Sequence, residues 1–275
     1  MTNKIFIPLD PDLIPGEKMD IVAVGAHADD VDITCGGTLA KLAKEGFKVG
    51  IVDLTNAEPT PLNGKYRAPD DYDEDYADVR IAEAKASAKE LGVDERYIMD
   101  LPNRELVDNF EARCKLATVF RKWKPKVIFQ MYNRGNFDSP DHEVARSITD
   151  AAKFYSKLTK WEKYMGNLSP HPIGTFPIYY LMSTTTPIHP LDKQGQMTTF
   201  RTDITNEIEQ KKKALQHYKS QFGGKDWSDL FATFDSLDGA YYKGNINKLY
   251  LETFLTIMPL IVNTNNFKEF FFENL

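Results

Sequence analysis

Short apolar runs alternate with helical patterns over the first part of the chain. Runs rich in branched apolar side chains predict strands at residues 20–26, 49–54, 96–100 and 126–132. Apolar side chains at helical spacing predict helices at residues 37–45, 76–91, 110–123 and 141–158. Strands that alternate with helices in this way favour an α/β fold, with a mostly parallel sheet and helices on both faces.

The pattern is weaker in the later part of the chain. It predicts a strand at residues 176–182 and a helix at 205–222, with a lysine-rich face formed by residues 211–213. Residues 246–258 fit a helix and a strand equally well. An apolar tail at 267–272 packs either within the chain or against a neighbouring copy.

The organisation of the chain is simple except for one long loop. No linker and no internal repeat divides the sequence. We therefore expect one domain over residues 1–275, with a core of 1–165 and a C-terminal extension of 166–275 packed on the sheet. Residues 56–75 form a predicted loop with an acidic run at 70–75, which is either a solvated insertion or a lid that faces a ligand or partner.

Composition is that of an ordinary globular protein, since 42% of the 275 residues are hydrophobic and 27% are charged. The net charge of −6 disfavours nucleic-acid binding. No apolar run reaches the roughly 18 residues of a membrane span, and the N-terminus lacks the apolar centre of a signal peptide, so we expect a cytoplasmic protein. Cys35 and Cys114 are too few for a disulfide framework and are interpreted as small packed residues.

Residues that commonly bind metals directly follow two of the predicted strands. His27, Asp29 and Asp30 come after the first strand, and Asp141 and His142 come after the fourth. Ligands bind beyond the carboxyl ends of parallel strands, so both loops should open on one crevice. Two imidazoles and a carboxylate are a common ligand set for catalytic zinc or ferrous iron. A histidine after a strand is more often structural, however, and an aspartate there often caps the next helix.

The metal interpretation gives each residue of the first loop a task. His27 and Asp30 are three positions apart on a turn that opens into a helix, so both side chains can converge on one ion. A bound ion lowers the pKa of its water to about 7. Asp29 would accept the proton as that water attacks a carbonyl, which is the chemistry of metal-assisted hydrolysis.

The other histidines are weaker candidates. His171 lies between two prolines and either approaches the crevice or is a loop residue. His189 is interpreted as a loop residue and His217 as a helix-surface residue. A nucleotide site is disfavoured, because Cys35-Gly36-Gly37 does not match a glycine-rich phosphate loop.

Several motifs together resemble one known family. The first loop has the sequence Val24-Gly-Ala-His-Ala-Asp-Asp30 and is followed by Cys35-Gly-Gly-Thr38. Further motifs are Arg80-x-x-Glu83-Ala84, Leu101-Pro-Asn-Arg104, Pro140-Asp-His142 and Tyr250-Leu-Glu-Thr-Phe254. The chain resembles the LmbE-like (PIG-L) family of metal-dependent N-acetylglucosaminyl deacetylases. It is most similar to their bacillithiol-type N-acetylglucosaminyl-malate deacetylase branch.

This resemblance implies a fold, a cofactor and a set of residues. The fold would be Rossmann-like, and the reaction would remove an N-acetyl group from a glucosamine unit with a divalent metal, usually zinc. By position, His27, Asp30 and His142 would be the metal ligands, and Asp29 would be the general base. Arg80 either binds an anionic group of the substrate or is a surface arginine of its helix.

One position departs from the family's pattern. The second metal motif of the family begins with a histidine that polarises or protonates at the reacting carbonyl, and its aspartate orients that histidine. Here Ser139 replaces the histidine, and Asp141 loses its usual partner. A serine hydroxyl is no imidazolium, and loss of a comparable group costs about 10²- to 10⁴-fold in rate. We therefore expect Ser139 and Asp141 to serve a weakened or altered reaction, with Asp141 turned to Arg80 or to a ligand.

The leading hypothesis is a metal-dependent deacetylase of a GlcNAc-type amino sugar or its conjugate. One alternative is an amidase of a different conjugate, such as a thiol conjugate. Another is a non-catalytic sugar-binding or interaction module, which Ser139 favours and the intact ligand set disfavours. The expected partner is a small-molecule amino sugar, and the resemblance implies a homo-oligomer, either a trimer or a hexamer.

Overall fold

The computed structural model describes residues 6–59, 68, 70–132, 139–171, 175–180, 198–222 and 250–256. The strands within these residues are β1 (Ile21–Gly25), β2 (Val49–Asp53), β3 (Glu95–Ile98), β4 (Val127–Met131), β5 (Phe176–Tyr180), β6 (Thr198–Asp203) and β7 (Leu251–Thr256). The α-helices are α1 (Asp30–Lys44), α2 (Glu74–Leu91), α3 (Phe110–Trp123), α4 (Pro140–Tyr155), α5 (Ile208–Leu215) and α6 (Lys219–Phe222). Short 3-10 helices lie at Pro11–Leu13 and Glu162–Tyr164.

The seven strands form one sheet in the order β3-β2-β1-β4-β5-β7-β6. The first five strands in this order are parallel, whereas β7 pairs antiparallel with β5 and with β6. Helices α1, α2 and α5 contact one another, and α3 and α4 contact each other. The predicted α/β fold with a mostly parallel sheet is therefore confirmed. The chain moves outward from β1 to β3 and returns as β4 on the other side of β1, and this reversal of strand order is where ligands bind in such sheets.

The central strands are apolar because both of their faces are covered. Every residue of β1, β2 and β4 is buried, which explains their continuous apolar sequences. The sequence predicts these strands and β3 to within two residues of their ends. Among the helices of the described residues, none has the length and apolar character that a membrane crossing requires.

Two helices begin earlier than the sequence predicts because acidic residues form their first turns. The pattern predicts α1 from residue 37, but α1 begins at Asp30, directly after Asp29. Helix α2 begins at Glu74, and Asp73 caps it by accepting a hydrogen bond from the Tyr76 amide at 3.1 Å. Carboxylates at these positions stabilise the helix because they interact with the positive end of the helix dipole. The end of the acidic run is thus the start of a helix.

The later part of the chain differs most from the prediction. The helix predicted at 205–222 is two helices, α5 and α6, because the chain turns at residues 216–218, where the buried Tyr218 donates a hydrogen bond to Asp32 at 2.9 Å. The ambiguous segment at 246–258 contains strand β7, and the sequence does not indicate β6. Two expectations fall outside the described residues, namely the apolar tail at 267–272 and part of the loop at 56–75.

Buried polar contacts fasten the later strands and helices to α1. Glu252 of β7 accepts hydrogen bonds from the backbone amides of Gly37 and Thr38, at 2.9 and 2.7 Å, and from Nζ of Lys211 at 2.7 Å. A Cβ atom on Gly37 would lie 2.6 Å from Cδ1 of Ile204, so a larger residue there would force the Ile204 side chain to move. Lys211 is buried rather than part of a polar helix face.

Candidate metal centre

The two loops with candidate metal ligands leave the sheet where the strand order reverses. His27 lies just beyond β1, and α1 begins at Asp30. His142 lies in the first turn of α4, the helix after β4, and Ser139 is the N-cap of that helix. Asp30 and His142 lie in the first turns of helices, and His27 lies in the short turn that joins β1 to α1.

The side chains of His27, Asp30 and His142 form a cluster in which one ligand atom from each lies within 4.8 Å of the others. Nδ1 of His27 lies 3.4 Å from Oδ2 of Asp30, and Nε2 of His142 lies 3.5 Å from Oδ1 of Asp30. The imidazole ring centres are 5.2 Å apart. The backbone amides of Ala26 and His27 donate to Oδ2 of Asp30 at 3.0 and 2.8 Å, so the loop itself fixes this carboxylate.

This donor set fits a divalent cation. Two imidazoles and one carboxylate match the protein ligands of a catalytic zinc site and leave a position for water. Nδ1 of His142 is buried and has no hydrogen-bond partner among the described residues, a costly arrangement in the absence of a bound group. The buried carboxylates of Asp29, Asp30 and Asp141 add negative charge around the imidazoles, which a cation would neutralise.

The cluster strongly perturbs its own titration. Burial lowers the pKa of His27, but the carboxylates of Asp30 and Asp141 outweigh burial and raise this pKa to about 10. Burial also opposes ionisation of Asp30, yet the two histidines, led by His142, hold the pKa of Asp30 well below its usual range. The site therefore stabilises a negatively charged Asp30 beside positive charge, as a cation site requires.

Arg80 of α2 holds the loop between the candidate ligands. Its buried Nη2 donates to the carbonyl oxygen of Ala28 at 3.1 Å and lies 3.5 Å from Oδ2 of Asp29. Nη1 donates to Oγ of Ser220 at 3.4 Å, and the guanidinium carbon lies 5.6 Å from the ring centre of Tyr218. Burial raises the pKa of Asp29, and Arg80 opposes this rise only in part. The interpretation of Arg80 as a surface arginine is wrong, and its binding of substrate stays a prediction.

The Asp141 carboxylate contacts His27, one of the candidate metal-binding residues, rather than Arg80. Its Oδ2 lies 3.2 Å from Nε2 of His27 and accepts a hydrogen bond from the Arg104 backbone amide at 2.7 Å. Burial raises the pKa of Asp141, but the hydrogen bonds from His27 and Arg104 outweigh burial and hold this pKa below its usual range. Sequence reasoning missed this role of Arg104, because the contact uses its backbone and not its side chain.

Comparison with known proteins shows which family the chain is similar to. A family model described as PIG-L, GlcNAc-PI de-N-acetylase, matches residues 22–153, which include both loops of the cluster. Over residues 22–153, about half of its length, the chain is similar to the PIG-L family. This result confirms the resemblance seen in the sequence motifs, while the expected closeness to the bacillithiol-type branch stays a prediction.

Relatives that match most of this chain include proteins named as deacetylases. A diacetylchitobiose deacetylase from Thermococcus kodakarensis is 27% identical over 225 residues, which are 81% of this chain and 77% of the relative. The structure of the N,N'-diacetylchitobiose deacetylase from Pyrococcus horikoshii is 25% identical, with a TM-score of 0.67 over 86% of this chain and 83% of that one. The structure of a conserved Thermus thermophilus protein is 28% identical, with a TM-score of 0.67 over 89% of this chain and 97% of that one.

In this chain, Ser139 serves as a helix cap. Its Oγ accepts a hydrogen bond from the Asp141 backbone amide at 3.4 Å, and Pro140 occupies the first position of α4. Serine at the N-cap and proline directly after it are a common helix start. This structural explanation of Ser139 is sufficient by itself, and a catalytic role of Ser139 stays a prediction.

The other described histidines, His171 and His217, do not replace the imidazole missing at position 139. His171 is buried, and its Nε2 lies 2.9 Å from the carbonyl oxygen of Pro125, which precedes β4 at the end of the strand away from the cluster. His217 lies in the turn after α5 and is half-buried. His189 lies outside the described residues. Among the described histidines, only His27 and His142 belong to the cluster.

Proposed function

We propose that this chain removes an N-acetyl group from a GlcNAc-type amino sugar or its conjugate by metal-dependent hydrolysis. The observation that carries the proposal is the cluster of His27, Asp30 and His142, with Asp29 adjacent to it in the same loop. The names of two relatives describe deacetylation of diacetylchitobiose, which is a reaction of the same kind.

In this proposal each side chain has one task. His27, Asp30 and His142 hold the ion, which we propose to be zinc because their nitrogen and oxygen donors suit it. When bound, the ion supplies a water of lowered pKa and polarises the acetyl carbonyl. Asp29 accepts the proton of the attacking water, and the burial that raises the pKa of Asp29 favours this transfer. Arg80 keeps the carboxylate of Asp29 in place.

The amine that leaves also needs a proton, and this step is where the chain is weak. The Ser139 hydroxyl can donate a hydrogen bond, but it does not readily give up its proton. Asp29, protonated in the first step, can return that proton to the amine. We therefore propose a reaction that is about 10²- to 10⁴-fold slower than that of an equivalent site with a histidine at position 139.

The test is acetate release from N,N'-diacetylchitobiose and from N-acetylglucosamine by the zinc-loaded protein. Asp29→Asn keeps the shape of the side chain but removes the proton acceptor, so kcat should fall by at least about 10²-fold while bound zinc is retained. Asp78→Asn makes the same change at an exposed position of α2 and should leave kcat unaltered. Full activity of Asp29→Asn would exclude Asp29 as the base.

A second candidate function is binding of the same sugars without catalysis. The observation that favours it is the use of Ser139 as a helix cap. Among the described residues, the family's histidine is then not replaced as proton donor to the leaving amine. A protein that binds zinc and N,N'-diacetylchitobiose, but releases no acetate even as the Ser139→His variant, would support this function. Amine release from a thiol conjugate, but from neither sugar, would instead support an amidase of a different conjugate.

We also propose that the chain forms a homo-oligomer, a trimer or a hexamer, as the family resemblance implies. Sedimentation equilibrium of the full chain tests this proposal, and a monomer at micromolar concentration would contradict it.

A further inference from the structure

We propose that Asp141 is a positioning residue that orients His27 as a metal ligand, a role that rests on the proposed metal centre. This role differs from the one implied by the family resemblance, in which the same aspartate orients a histidine at position 139. Three observations carry the proposal: the contact between Asp141 and His27, the fixed position of the Asp141 carboxylate, and the identity of residue 139.

The Asp141 carboxylate and the His27 ring are within hydrogen-bond distance. Oδ2 of Asp141 lies 3.2 Å from Nε2 of His27, while Nδ1 on the other side of the ring lies 3.4 Å from Oδ2 of Asp30. A histidine that binds a metal commonly donates its second ring N–H to a carboxylate, which fixes the tautomer and makes the ligand nitrogen more basic. Asp141 therefore keeps the proton on Nε2 and selects Nδ1 of His27 for the ion.

The structure holds Asp141 in place independently of His27. Asp141 is 2% exposed in the first turn of α4, and its Oδ2 also accepts the Arg104 amide hydrogen at 2.7 Å. Arg104 has a φ of 63°, a backbone conformation that residues with side chains rarely adopt. In this conformation its N–H donates the hydrogen bond to the Asp141 carboxylate. A carboxylate fixed by both a helix and a strained turn can in turn fix the orientation of an imidazole ring.

Residue 139 removes the competing partner of Asp141. Ser139 has no imidazole, and its Oγ contacts the Asp141 backbone amide rather than the Asp141 carboxylate. His171, another buried histidine, is hydrogen-bonded to the carbonyl oxygen of Pro125. In the described part of the chain, His27 is thus the histidine whose ring nitrogen lies at hydrogen-bond distance from the Asp141 carboxylate.

The first test is zinc affinity, measured by competition with a chromophoric chelator, which requires no turnover. Asp141→Asn and Asp141→Ala should each bind zinc about 10- to 100-fold more weakly than the wild type, because His27 loses its charged partner. Glu143→Gln removes the same charge from an exposed position of the same helix and should leave zinc affinity unchanged. Equal zinc affinities for the wild type and both Asp141 variants, with circular dichroism showing all of them folded, would overturn the proposal.

The second test is nitrogen NMR of the His27 ring in the zinc-loaded protein, assigned with a His27→Asn variant. Nε2 should carry the proton and Nδ1 should bind zinc, and Asp141→Ala should weaken this preference. Zinc bound at Nε2 of His27 in the wild type would overturn the proposal. A wild-type protein that shows the expected affinity and tautomer but releases no acetate would contradict the proposed function alone, so the two failures are distinguishable.

Discussion

Glu252→Gln should destabilise the fold, because it removes one half of a buried ion pair. Nζ of Lys211 lies 2.7 Å from Oε1 of Glu252, and the side chains of the two residues are 1% and 0% exposed. The same carboxylate accepts hydrogen bonds from the backbone amides of Gly37 and Thr38 in α1. Glutamine keeps the shape but has one acceptor oxygen instead of two, and it leaves the Lys211 charge without its carboxylate.

The expected loss is large relative to the stability of a typical domain. Removal of one partner from a buried pair costs about 3–5 kcal/mol, whereas native proteins are stable by about 5–15 kcal/mol. With a urea dependence of about 2 kcal/mol per molar, the unfolding midpoint should fall by about 1.5–2.5 M. The matched control is Glu209→Gln, since Glu209 pairs with Lys212 at 3.2 Å but has a 75% exposed side chain. Such surface pairs contribute about 0.5 kcal/mol or less.

The assay is urea unfolding followed by circular dichroism, with both variants and the wild type kept free of metal, so that ion binding does not add stability. A midpoint shift for Glu252→Gln that is no larger than the shift for Glu209→Gln would refute the reasoning. It would mean that the carboxylate and ammonium groups lie in a more hydrated environment than their contacts indicate.

The remaining predictions concern the metal centre. His142→Ala should lose zinc on dialysis that the wild type retains, because it removes one of the three proposed ligands. Elemental analysis showing about one ion per chain in the variant would contradict the ligand assignment. Ser139→His should raise acetate release from N,N'-diacetylchitobiose by about 10²-fold or more, because an imidazolium can protonate the leaving amine. An unchanged rate in a steady-state assay of Ser139→His would indicate a reaction that needs no acid at this position.

The sequence predicts the central sheet and the location of the two loops because both depend on local rules. Strands buried on both faces need continuous apolar runs, so the runs at 20–26 and 126–132 identify β1 and β4. Parallel strands bring their carboxyl ends to one edge, so His27 and His142 come together although many residues separate them. This part of the site is therefore predictable from the sequence, because the sheet topology brings the two loops together.

Contacts between distant residues decide the features that the sequence does not indicate. Three consecutive lysines are typical of a solvated helix face, whereas Lys211 is buried and pairs with Glu252, a residue distant in the sequence. The helix predicted at 205–222 is interrupted where Tyr218 packs inward and donates to Asp32. Such pairings are set by tertiary packing, which local propensity does not determine.

Helix stability and proton donation compete for one side chain at position 139. Ser139 begins α4, the helix that carries Asp141 and His142, and loss of a capping serine typically costs about 0.5–2 kcal/mol. A histidine there would give the reaction an acid and weaken the start of that helix. Selection for a long-lived protein and selection for rapid turnover would thus favour different residues at this one position. A substitution at position 139 would therefore change the proposed catalytic rate and leave the sheet and the proposed metal ligands unaltered.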